Sequence, residues 1–269
     1  MRITGLICAI LTLTIALNGC AMLKPTPTDT SQVLVFTEEP VTETGVPETT
    51  VAELETAPKS PAMLRAYQFA LQQIAFEHVL PDGSELFFDN SFGFIEENTF
   101  AVTDVNGDGR DELLVTYSTA PMAGMRALVY GYDMENDALR LELDVFPGAE
   151  MYPGGLVKAN WSHNHTYGMD FWPYTLMRYH ADTGVYEAEV SVSAWDRRVS
   201  ETDLEGRSFP EEKDPQRVGT VYLITRGEEE TILSQAEFEA WNAEIFAGAD
   251  AMDIQWQNLT EDNIRALVD

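Results

Sequence analysis

Residues 104–112 read Asp104-Val105-Asn106-Gly107-Asp108-Gly109-Arg110-Asp111-Glu112, which places oxygen-bearing side chains at the first, third, fifth and ninth positions of the run. Calcium takes about six to eight hard oxygen ligands in a flexible shell, and alternate residues of a curled backbone can turn their side chains to one centre. Gly109, sixth in the run, permits the sharp turn, and Arg110, seventh, would lend its carbonyl oxygen while its side chain faces water. The expected ligands are therefore Asp104, Asn106, Asp108, the carbonyl of Arg110 and Glu112, and the expected cofactor is one structural calcium ion. A polar hairpin turn alone would account for the Asn-Gly and Asp-Gly pairs. It would not account for Asp104, Asp108, Asp111 and Glu112 standing so close together, because like charges at that spacing repel unless a cation lies between them.

The run follows the first half of an EF-hand loop and then departs from it. The twelfth position, where an EF-hand carries a bidentate glutamate, is Val115. The flanks Phe100-Ala101-Val102 and Leu113-Leu114-Val115-Thr116-Tyr117 read as strands, whereas an EF-hand needs helices there. In both respects the stretch resembles the loops of integrin-type propeller blades, the FG-GAP or VCBS repeats, with Glu112 where aspartate is commoner. That resemblance implies an ion that pins two strands in register and is closed by the carboxylate at position nine. A propeller needs several such repeats, and the chain carries one convincing copy.

The elements that must hold this loop are legible in the periodicities. Residues 61–80 place Leu64, Tyr67, Leu71, Ile74, Phe76 and His78 at mostly three- and four-residue spacings, an amphipathic helix ended by the turn Pro81-Asp82-Gly83. Strands are expected near 98–103, 112–118, 126–132, 138–145, 174–180, 185–193 and 219–225. Glu135-Asn136-Asp137 and Asp182-Thr183-Gly184 are short enough to make antiparallel hairpins of their neighbours. Ser234-Gln235-Ala236-Glu237 fits a capping box ahead of a helix with Phe238, Trp241, Ile245 and Phe246 on one face, and Thr260 caps a last short helix. The expected fold is α+β, an antiparallel β-meander sheet flanked by an N-terminal helix and C-terminal helices, forming a single domain over residues 61–269.

The N-terminal region carries address rather than fold. Residues 1–20 bear Arg2 and then an apolar or small-residue run, the shape of a signal peptide, too short for a membrane span. Its end, Leu17-Asn18-Gly19-Cys20, resembles the lipobox of bacterial lipoproteins, which implies cleavage before Cys20, lipidation of that cysteine and a place on the extracellular face of the bacterial cell membrane. Residues 21–60, rich in Thr, Pro and Glu, are expected to form a disordered acidic tether. A lone extracellular calcium site of this kind is expected to bind with Kd on the order of 10⁻⁴ to 10⁻³ M.

Composition removes whole classes of function. Cys8 and Cys20 are the chain's two cysteines and both lie in the signal segment, so the mature domain has no disulfide, no cysteine nucleophile and no zinc site with thiolate ligands. With 45 acidic against 16 basic residues the net charge is -29, which repels nucleic acid. The combination of the loop with residues 194–224 resembles a group of lipoproteins of Gram-positive bacteria, in which a second aspartate-glycine loop precedes the last strand. Here that place is taken by Glu212-Lys213-Asp214-Pro215-Gln216-Arg217, whose basic residues and proline argue against a second cation. The resemblance implies no enzymatic activity.

An alternative function stands on His163 and His165. On a strand they would share a face and could hold zinc with Asp170 or His180, as in a metal-dependent hydrolase acting on the cell envelope. No Gly-x-Ser-x-Gly elbow supports Ser162 as a nucleophile. Trp161, Tyr167, Phe171, Trp172 and Tyr174 form an aromatic cluster able to stack on cell-wall glycan or a protein partner, or to pack as core. The leading expectation is a membrane-anchored, non-catalytic binding or structural module with one calcium-stabilised hairpin.

Overall fold

The computed structural model describes residues 60–164, 170–203 and 205–269. The signal segment, Cys20, the tether up to residue 59, and His165 with Tyr167 lie outside these residues.

Helix α1, Pro61–Gln72, starts with proline, where a missing N–H leaves no bond unmade. It does not continue as an α-helix to residue 80. A π-type turn, Gln73–Glu77, follows, and His78 stops it in the left-handed conformation at φ 56°. The wider turn rotates the apolar face, so Ile74 and Ala75 are buried while Phe76, expected inward, is exposed.

The α+β expectation holds, with the strands divided between two antiparallel sheets. The first is ordered β11-β1-β2-β3-β4, from β1 Thr99–Thr103, β2 Glu112–Tyr117, β3 Arg126–Asp133, β4 Ala138–Val145 and β11 Gln257–Asn258. The second is ordered β10-β9-β8-β7-β6-β5, from β5 Glu150–Tyr152, β6 Leu156–Asn160, β7 Tyr174–His180, β8 Val185–Asp196, β9 Thr220–Arg226 and β10 Glu229–Leu233. The chain leaves the first sheet after Val145 through Pro147 and Gly148, a residue without an N–H followed by one at φ 92°, which together end the ladder. Both expected hairpins form, β3 with β4 and β7 with β8.

Three apolar interfaces stack these elements. Met63, Tyr67, Leu71 and Ile74 of α1 pack with Phe100, Leu113, Val115, Leu128 and Tyr130 on one face of the first sheet, joined by Ile264 of the short helix α3, Glu261–Arg265. The other face, with Ala101, Leu114 and Val129, packs on Val157, Ala159 and Tyr186 of the second sheet. The far face of the second sheet is covered by helix α2, Gln235–Phe246, through Phe238, Trp241, Ile245 and Phe246. Both halves of the capping box at Ser234 are made, Glu237 N–H to the serine hydroxyl at 3.3 Å and Ser234 N–H to the Glu237 carboxylate at 2.7 Å. Among the described residues, no helix is long and apolar enough to cross a membrane.

One irregularity bears on the loop. In the β3–β4 ladder Val129 pairs with Leu143 but Tyr130 pairs with Leu141, so Glu142 is an extra, unpaired residue. Leu139 and Leu141 accordingly pack on the α1 side of the sheet, whereas Leu143 and Val145 pack on the side of the second sheet.

Candidate metal centre

The loop closes a hairpin. Strands β1 and β2 pair from Thr99 with Thr116 to Thr103 with Glu112, so Glu112 is at once the ninth position of the run and the first residue of β2. Gly107 and Gly109 stand at φ 82° and 85°, a region that a side chain would penalise. The acids then curl the backbone: Gly107 and Gly109 donate their N–H groups to the two oxygens of Asp104 at 2.7 and 2.9 Å. Asp108 N–H donates to Asn106 Oδ1 at 2.8 Å, and Arg110 N–H to Asp108 Oδ1 at 2.9 Å.

The result brings together one carboxylate oxygen each from Asp104, Asp108 and Glu112, all within 4.8 Å of one another. Oxygens bound to one calcium ion at about 2.3–2.6 Å lie at most about 5 Å apart, so the spacing fits such an ion. The donor set fits as well, hard oxygens with no sulfur. Each carboxylate has about four lone-pair sites, which leaves capacity beyond the hydrogen bonds already made. Among the described residues this is the single group of three or more His, Cys, Asp or Glu side chains placed to hold a metal.

Glu112 is the buried member, 2% exposed. Its Oε2 accepts from Val105 N–H at 2.9 Å and its Oε1 from the Asn106 side-chain amide at 3.0 Å. Burial pushes its carboxyl up to about 8; the Val105 N–H opposes this, and the charges of Glu142, Asp108 and Asp104 add to it. A divalent cation among these acids would supply the opposite charge that the protein does not.

Two neighbours fix the loop from outside it. The Tyr67 hydroxyl on α1 donates to the Asp111 carbonyl at 2.8 Å. Gly155, between β5 and β6 at φ 69°, lies so near the Asn106 carbonyl that a Cβ there would sit 3.0 Å from it. A cleft lined by Met63, Arg110, Glu112, Tyr132, Arg140 and Glu142 opens beside the loop. The Arg110 side chain faces water, as expected, and also pairs with Asp108, its terminal nitrogen 2.5 Å from Oδ2.

The sequence did not point to Glu142, which is 4% exposed. In Ala138–Val145 it alternates with Arg140 and Asp144 and reads as an outward residue; the bulge that turns it inward leaves no trace in the pattern. Its carboxyl is raised by burial, against the pull of Arg140.

The other candidates are placed less favourably. His163 lies in a loop rather than on a strand, exposed, with Nδ1 2.6 Å from the Ser162 hydroxyl. Asp170 pairs with Arg198 at 2.7 Å. His180 closes β7 at the end remote from Tyr174, about 20 Å along the strand from the His163 loop. The aromatic cluster is divided: Tyr174 is buried, Phe171 packs against Phe238 of α2, and Trp172 is exposed with its indole N–H on the Trp161 carbonyl at 2.7 Å. In the segment at 212–217, Asp214 accepts from the N–H groups of Val218 and Gly219, both at 2.8 Å.

Residues 98–131 match the FG-GAP repeat, a span that takes in β1, the loop, β2 and most of β3. No curated protein and no solved structure matches the chain. The chain thus carries an FG-GAP repeat whose acidic loop can hold a metal ion.

Proposed function

We propose that this chain is a lipid-anchored extracellular lipoprotein whose folded domain is a non-catalytic binding or structural module, stabilised by one calcium ion in the loop at 104–112. The observation that carries the reading is the convergence of Asp104, Asp108 and Glu112 within 4.8 Å inside an FG-GAP match. The ion would be held by these three with Asn106 and the carbonyl of Arg110, and its role is to neutralise acids that otherwise oppose closure of the hairpin. The anchor rests on Leu17-Asn18-Gly19-Cys20, with the membrane engaged through lipid on Cys20 and the domain free to meet a cell-wall glycan or protein partner.

Thermal unfolding tests the ion. With Kd on the order of 10⁻⁴ to 10⁻³ M, 5 mM calcium should add about 1–2 kcal/mol of stability over chelator, roughly 2–8 °C in Tm for a domain of this size. Asp108→Ala should abolish the difference, and a wild-type Tm indifferent to calcium contradicts the reading. The anchor is tested separately: Cys20→Ala should leave the protein uncleaved or release it, and unchanged membrane retention contradicts lipidation.

A further inference from the structure

The cation site as read from the loop ends at Glu112, and the FG-GAP match ends at residue 131. Beneath the loop lies a second buried acid that neither includes. Glu142 occupies the unpaired position of the β4 bulge, and such bulges re-aim a side chain out of the regular alternation. Its carboxylate crosses the strand over Gly131, where a Cβ would collide with it. One oxygen accepts from the Arg140 guanidinium at 2.8 Å and the other lies 3.4 Å from Asn106 Nδ2. The same Nδ2 donates to Glu112 at 3.0 Å.

The Asn106 amide is therefore held at its nitrogen end by two acids, which leaves its oxygen end, Oδ1, directed to the loop, where it accepts from Asp108 N–H at 2.8 Å. A further polar group belongs to this chamber. Tyr186, from the second sheet, is 6% exposed and packs beside Val105. Its hydroxyl has no partner, and the charges of Glu112, Glu142 and Asp104 all act on it. The Tyr186 hydroxyl is thus a buried polar group set among the acids of the loop and of β4.

We propose that Glu142 is a positioning residue of the cation centre: by receiving the Asn106 side-chain N–H it fixes the amide with Oδ1 toward the ion. The inference rests on the calcium reading above and extends the centre from the loop to the fourth strand. Partners that orient ligands in this way typically change metal affinity by about 10- to 100-fold when lost.

The test is a swap that conserves shape, read by calorimetric titration of calcium into the mature domain. Glu142→Gln and Asn106→Asp should each raise Kd about 10-fold or more. The second should do so even though it adds a negative ligand, because the new carboxylate would face Glu112 and Glu142 with no proton to donate. The double variant restores one donor and one acceptor across the same gap, with the wild-type net charge, and should bind more tightly than either single. Additive losses in the double, or a Glu142→Gln variant with wild-type Kd, would overturn the proposal. Absence of calcium binding by the wild type would instead overturn the cation reading on which it rests. Circular dichroism of each variant in chelator, with wild-type spectra expected, separates lost positioning from lost folding.

Discussion

Tyr67 on α1 donates its hydroxyl proton to the backbone carbonyl of Asp111, 44 residues on, at 2.8 Å. The phenol ring is fully buried in the interface between α1 and the first sheet, so a helix read from apolar periodicity delivers one polar atom to the end of the acidic loop. Tyr67→Phe keeps the packing and strands the carbonyl. The expected loss is about 1 kcal/mol in urea unfolding, with weaker calcium binding because the loop loses its tie to α1. Equal stability and equal affinity would mean that water replaces the phenol without cost.

The acidity of the loop makes a prediction with a definite sign. Glu112 is raised from an ordinary 4.5 to about 8, chiefly by burial, and Glu142 is raised in the same direction. Below about pH 4.5 Glu112 is protonated in both folded and unfolded chains. From there to about pH 8 the unfolded chain releases the proton that the folded chain retains. The calcium-free protein should therefore lose stability as pH rises through this window, by up to about 1.4 kcal/mol per pH unit for one proton. Saturating calcium holds the carboxylate ionised, so it should flatten the slope and release protons on binding near pH 7. Urea titrations at several pH values, with chelator and with calcium, make the comparison; superimposable profiles would dissociate Glu112 from the ion.

Gly131 offers a check on the chamber from its far side. It is in a strand at ordinary φ, and its requirement is for space rather than backbone freedom: an added methyl group meets the Glu142 carboxylate. Gly131→Ala should cost about 1–3 kcal/mol as an overpacked site and lower calcium affinity along with it. A variant as stable and as tightly binding as wild type would show that Glu142 can vacate its position freely.

Much of the fold was legible because local chemistry and burial agree. The β-branched and aromatic runs in Arg126–Asp133 and Val185–Asp196, the turn residues between the hairpin strands and the Ser234 capping box all act over a few residues, and each is found where expected. Strands β5, β6, β10 and β11 were not expected: β5 and β11 are three and two residues long, β6 and β10 five each, and all four are defined by the neighbours they pair with. The end of α1 was misjudged because a π-type turn changes the period within an unbroken apolar run, which turns Phe76 outward. At the candidate metal centre the three converging carboxylates, Asp104, Asp108 and Glu112, were legible from their spacing, since all lie in one curled segment. Glu142, Gly131 and Tyr186 were not, because a bulge and a sheet-to-sheet contact bring them there from distant parts of the chain.

The unpaired position of Glu142 ties two properties of the chain to one codon. Substituting the acid is a local event that leaves Leu143 and Val145 facing the second sheet. Deleting it would make Leu141 and Leu143 consecutive, restore a regular ladder and keep Leu143 and Val145 on the side of the second sheet, so the bulge and the buried acid would be lost together without a change of register. Deletion at this position should therefore leave the facing of the strand intact and register, like replacement of the acid, as a loss at the loop that Glu142 underlies.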